Sequence, residues 1–238
     1  MAIKTILNYS PNFDSKKRAK KQIKFIIFHY TGMKKESDAI NKLTNIQSQV
    51  SCHYLIKNSG KIIKIVPNLY IAWHAGKSSW KRLNSLNKYS IGIEITNPGS
   101  QFGYKKFSKK QISAILRLSK FLVKKYKINN KNILGHSDVS PERKKDPGEK
   151  FPWKYLSQNK IGLWHTLKDK ELRKSRKLKT NKVEKDFFLK NLFKIGYPNK
   201  LPKDLNKNKY LRDLTKAFQR RFRQELIDGT IDRECLFI

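Results

Sequence analysis

The chain has 238 residues, 38% of them hydrophobic, enough for one large domain or one domain with a small appendage built around a true core. Its 54 Lys and Arg against 18 Asp and Glu give a formal charge of +36. Such a surface attracts polyanions, but the lysines are spread among asparagines and isoleucines as codon bias also produces, and no nucleic-acid-binding signature accompanies them, so no specific nucleic-acid partner is expected.

Two cysteines, Cys52 and Cys235, offer no disulfide framework. No stretch approaches the roughly 18 apolar residues of a membrane span, so no transmembrane segment is expected. The opening M-A-I-K-T-I-L-N-Y-S lacks an apolar export core. The expectation is a cytoplasmic protein, with the periplasm or cell envelope as the alternative.

In chain order, the apolar run from Ile23 to Tyr30 predicts a buried strand. Ser37 to Gln49 predicts a helix capped by Ser37, with Ile40, Leu43 and Ile46 at helical spacing. Two short strands, His53 to Ile56 and Ile62 to Val66, flank the turn N-S-G-K, and Ile91 to Thr96 predicts another strand ended by N-P-G. Phe107 to Lys127 carries the strongest helix signal, with Ser108 and Gln111 spaced as a capping box ahead of an aliphatic stripe. Asn132 to His136 predicts a last strand that delivers His136 at its end. The alternation implies an α/β core with a central mixed β-sheet flanked by helices. After Trp164 the composition turns to L-K-D-K-E-L-R-K-S-R-K-L-K, which reads as a charged linker over 166–181. Helices from Val183 to Ile195 and from Tyr210 to Arg223 then predict a small all-α C-terminal module over 182–238.

The phrase G-H-S-D-V-S-P-E-R-K-K-D-P-G at Gly135 to Gly148 sets His136 ten positions before Asp146, and His29 ends the first strand. Two imidazoles and a carboxylate are one ligand short of tetrahedral zinc, which suits a catalytic ion with an open position, and two cysteines are too few for a closed structural site. Asp146 before Pro147 could instead cap a turn. Cys52 and His53, as strand neighbours, point to opposite faces and cannot easily share an ion. Trp80, Trp153 and Trp164 read as packing residues.

Five motifs in order, F-H-Y-T at Phe28, S-C-H-Y-L-I at Ser51, A-W-H-A-G at Ala72, S-I-G-I-E at Ser90 and G-H-S-D…R-K-K-D-P-G…F-P-W at Gly135, resemble the zinc-dependent N-acetylmuramoyl-L-alanine amidases of type 2. The resemblance implies a zinc amidase domain over 1–165 that works on peptidoglycan or muropeptides, and a monomer is expected. It implies one zinc ion held by His29, His136 and Asp146, with Glu94 as catalytic carboxylate and Lys144 as catalytic lysine; Lys145, a further charge beside it, reads as solvent-facing. Trp73, His74 and His53 are expected to line the substrate cleft. The tail A-F-Q-R-R-F-R-Q-E-L-I-D-G resembles a three-helix peptidoglycan-binding module, which normally closes with a further helix where this chain stops at E-C-L-F-I. A non-catalytic recognition protein of the same fold and a basic nucleic-acid binder are the alternatives.

Overall fold

The computed structural model describes residues 3–238. Along the chain come β1 (Ile6–Leu7), β2 (Phe13–Asp14), β3 (Phe25–Tyr30), α1 (Glu36–Thr44), β4 (Tyr54–Ile56), β5 (Ile62–Lys64), β6 (Ile71–Ala72), β7 (Ser79–Trp80), β8 (Leu83–Asn84) and β9 (Ser90–Ile95). They are followed by α2 (Lys109–Tyr126), β10 (Ile133–Gly135), α3 (His136–Val139), α4 (Trp153–Gln158), α5 (Asp169–Ser175), α6 (Lys182–Ile195), α7 (Lys207–Phe222) and α8 (Arg233–Phe237). Six strands make the central sheet in the order β1-β5-β4-β9-β3-β10. All its neighbours run parallel except β4 and β5, which are antiparallel, so the sheet is mixed.

The two faces of β3 and β9 differ, because successive side chains alternate across a strand. On one face Ile26, Phe28, Ile91, Ile93 and Ile95 pack beneath Ala114, Ile115, Leu118 and Leu122 of α2. That helix starts as its sequence predicts: the Gln111 N–H donates to Ser108 Oγ at 3.1 Å and the Ser108 N–H donates to Gln111 Oε1 at 3.0 Å. On the other face Phe25 and Ile27 join Leu134 and Val139 in a cluster with Phe188, Leu192, Leu214 and Phe218 of the C-terminal helices. Each such burial is worth about 1.5–3 kcal/mol. The C-terminal helices therefore share a core with the sheet.

Three expectations change in detail. The first helix ends at Thr44, because Asn45 turns its side chain onto the Gln47 N–H at 2.9 Å and starts a separate 3-10 turn over Ile46–Ser48. Its N-cap is Lys35, and Ser37 bonds Asp38 instead. The stretch 166–181 is tied down where an open linker was expected: it carries α5 with Leu172 buried, and Arg176 binds Glu225 at 2.6 Å and Glu234 at 3.0 Å. The closing residues form a short last helix, α8, whose Asp232 accepts from the Cys235 N–H at 3.0 Å. Trp80 and Trp153 are buried, and Trp164 packs against the α2 side of the core.

Candidate active site

Strand register assembles the site. His29 is the partner of Glu94 in the β3–β9 pair, and Gly135 is the partner of Phe28 in the β10–β3 pair. His136, one residue past Gly135 and the first of α3 in place of the strand end predicted for it, therefore stands beside His29. Three adjacent strand ends thus present His136, His29 and Glu94 in one row, at the carboxyl ends of parallel strands where α/β sheets place their ligands. Asp146 arrives from the loop after α3: the Ser137 N–H donates to the Asp146 carbonyl at 2.9 Å.

His29 Nδ1 and His136 Nδ1 lie 2.9 Å apart, and Asp146 Oδ2 is 3.0 Å from each. The hydrogen-bond partners assign the ring protons. Ser90 donates its hydroxyl proton to the Leu86 carbonyl at 2.6 Å, so its oxygen accepts from His74 Nε2 at 3.1 Å. That leaves His74 Nδ1 to accept from His29 Nε2 at 3.0 Å, and His29 Nδ1 without a proton. His136 Nε2 donates to the Ala75 carbonyl at 3.1 Å, which leaves its Nδ1 bare as well. Two imidazole lone pairs and a carboxylate oxygen thus converge with no hydrogen between them, an arrangement that repels itself unless a cation sits at its centre. The outer proton of each ring goes to a fixed acceptor, as in metal-binding histidines generally. This donor set fits a single zinc ion. Burial pulls His29 down to about 4, and the neighbouring His136 adds to the shift, so the ring stays neutral.

The three converging groups lie in a cleft of about 530 Å³ that Glu94, Lys144, Trp73 and His74 also line. Glu94 Oε2 is sealed from solvent and has no hydrogen-bond partner among the described residues, a costly state for a carboxylate. Burial, with the Asp146 charge second, pushes Glu94 up to about 8. Trp73 is anchored by its indole N–H, which donates to Asp14 Oδ1 at 2.7 Å. Gly92 lets His74 lie flat on β9, because a Cβ there would collide with the imidazole.

His53, expected on the cleft wall, is fully buried behind it. Its Nδ1 accepts from the Gly92 N–H at 3.0 Å, and its Nε2 lies 3.1 Å from the Tyr70 carbonyl and 2.9 Å from Arg18 Nη2. The reason is register: the His53 N–H bonds the Gly92 carbonyl at 3.0 Å, which draws the ring under β9 and behind His74. Burial, with the Arg18 charge second, drives His53 well below 6.5. An unfolded chain takes up a proton on this ring below about pH 6.5 while the folded one does not, so stability is lost as pH falls, by about 1.4 kcal/mol per pH unit. Urea titrations of metal-free protein at pH 7 and pH 5 are expected to show a smaller acid loss in His53→Gln than in wild type. Equal losses would remove His53 as a source.

Sequence reading missed the groups that hold this site from behind. Asp138, 1% exposed, accepts from the Gly135 N–H at 2.8 Å, from Tyr197 Oη at 2.8 Å and from Arg221 Nη1 at 2.9 Å. Arg221 also donates to the Ile133 carbonyl at 3.0 Å and stacks 3.9 Å above the Trp153 ring. The C-terminal helices thereby brace the turn that carries His136. The signal in the sequence was the pair Arg220-Arg221 inside the apolar stripe of Phe218 and Phe222, where a charge needs a partner.

The family model described as N-acetylmuramoyl-L-alanine amidase matches residues 19–149, more than half of the chain. The chain belongs to this family. The amidase is similar to N-acetylmuramoyl-L-alanine amidase AmiD of Escherichia coli, 34% identical over 228 residues that cover 90% of this chain and 79% of the relative. It is also similar to the solved complex of that E. coli enzyme with anhydro-N-acetylmuramic acid-L-Ala-D-gamma-Glu-L-Lys, at 31% identity and TM-score 0.77, covering 90% of this chain and 86% of the other. AmpDh3 from Pseudomonas aeruginosa in complex with anhydromuramic pentapeptide gives 31% identity and TM-score 0.77, with 95% and 94% covered. These similarities extend past the matched domain into the C-terminal helices of the amidase.

Proposed function

We propose that this amidase hydrolyses the amide between N-acetylmuramic acid and L-alanine in peptidoglycan or muropeptides, with one zinc ion held by His29, His136 and Asp146. The observation that carries the reading is the convergence of two bare imidazole nitrogens and a carboxylate beside the unpartnered Glu94 carboxylate in one cleft. Zinc held there supplies a Lewis acid for the scissile carbonyl and a lowered pKa for water. Glu94 takes the proton of the attacking water and returns it to the departing L-alanine nitrogen, and its enclosed position favours holding that proton between the two steps. Lys144 lines the same cleft and sets its positive charge against the oxyanion that forms on the carbonyl. Trp73 and His74 wall the substrate. The bound muropeptides of the two solved relatives support the substrate class. No helix among the described residues is long and apolar enough to cross a membrane.

Incubation of the zinc-loaded amidase with an anhydromuramyl tripeptide is expected to release free tripeptide, whereas chelated protein releases none and recovers when zinc is returned. His136→Ala is expected to lose the metal at equilibrium dialysis. Full activity in the presence of excess chelator would sink the zinc reading, and no release under any condition would sink the amidase reading.

A further inference from the structure

Beyond the cleft lies a groove that no step above uses. It shares Tyr30, Ser100 and Lys144 with the cleft and runs on between the loop after α3 and one face of α7, enclosing about 610 Å³. The α7 face consists of Lys209, Asp213, Lys216 and Arg220, spaced at helical intervals. Lys209 is neutralised by Asp213 at 2.9 Å, and Arg143 lies 3.8 Å from Glu142. Lys216 and Arg220 have no hydrogen bond or ion pair among the described residues. Arg220 is only 7% exposed, and Glu149, which lines the same groove, is the acid that acts on it most strongly, without pairing with it. None of its nitrogens is both sealed from water and unpaired, so the fork lies along the groove without a protein acceptor and open to one from a ligand. Its neighbour Arg221, 4% exposed, donates to Asp138 and to the Ile133 carbonyl, so the lack of an acceptor at Arg220 is not a general property of this helix.

We propose that this groove is a carboxylate subsite for the stem peptide, with Arg220 as the bidentate partner of a free carboxylate beyond the scissile L-alanine and Lys216 and Lys145 at its rim. The inference rests on the amidase reading of the adjoining cleft. The groove opens off the cleft at Lys144, so a stem that leaves the cleft on that side enters it, and a γ-linked glutamate next after the L-alanine carries an unblocked α-carboxylate. The planar fork of Arg220 matches such a group, and the partial burial strengthens the pairing over an exposed one.

The test compares zinc-loaded protein on anhydromuramyl-L-Ala-γ-D-Glu-L-Lys and on the same compound with the α-carboxylate amidated. Wild type is expected to favour the free carboxylate by about 10- to 100-fold in kcat/KM, the size of a charge-assisted hydrogen bond. In Arg220→Met that ratio is expected to fall close to one, with Arg220→Lys in between. A wild-type ratio near one, or a ratio that survives in Arg220→Met, overturns the subsite while leaving the amidase reading intact. Failure of wild type to cleave either compound removes the amidase reading and the subsite with it. The wild-type comparison needs no variant, so a folding defect in Arg220→Met does not blunt the test.

Discussion

Glu94→Gln is expected to lower kcat by about 10²- to 10⁴-fold while the protein binds its metal undiminished. The carboxylate stands in register with His29 but shares no hydrogen bond with His29, His136 or Asp146, so the exchange of one oxygen for an amide leaves the converging donors as they are. What it removes is, among the described residues, the only acceptor in the cleft that is both sealed from water on one oxygen and unpaired. Steady-state rates on an anhydromuramyl tripeptide, together with zinc content by elemental analysis, separate the two roles. A variant that keeps wild-type kcat would show that the proton is taken elsewhere. Loss of zinc in parallel with activity would make Glu94 part of the metal site.

Arg221→Met is expected to cost about 3–5 kcal/mol of folding stability, because it leaves Asp138 as a buried carboxylate with its charge uncompensated. The cost should reach the metal too. Asp138 fixes the Gly135 N–H, and Gly135 is the last residue before His136, so a loosened Asp138 loosens the imidazole that it positions. Partners of this kind typically contribute 10- to 100-fold in metal affinity. Competition with a chromophoric chelator measures that change, and urea unfolding measures the first. Tyr197→Phe removes one neutral hydrogen bond to the same carboxylate and is expected to cost less, about 1 kcal/mol. Equal effects of the two variants would contradict a charge-based account.

Much of this site was legible before any coordinates, and the reasons are local. His29, His136 and Asp146 sit in short phrases whose turns and strand ends can be read from glycine, proline and apolar runs. Even so, only the register of the parallel β3–β9 pair shows that Glu94 stands beside His29, since the two are 65 positions apart (94 − 29). His53 shows the opposite failure. Its motif resembled those of cleft residues, but the bond to Gly92 turns it inward, and nothing within its own strand encodes that. The helix expected to run to Gln49 stopped early because one asparagine side chain competes with the backbone. The bracing of Asp138 by Arg221 joins positions 83 apart, and it became visible only once α7 was packed on the sheet.

The shared core beneath α7 also limits how the enzyme can travel over a polymer. A module on a flexible arm lets its catalytic partner sample a sphere set by the length of the tether. Here the C-terminal helices are locked to the strand and turn that end in His136, through Phe218, Tyr197 and Arg221. A grip that α6, α7 or α8 took on a large substrate would therefore hold the cut at a constant offset, as a ruler does.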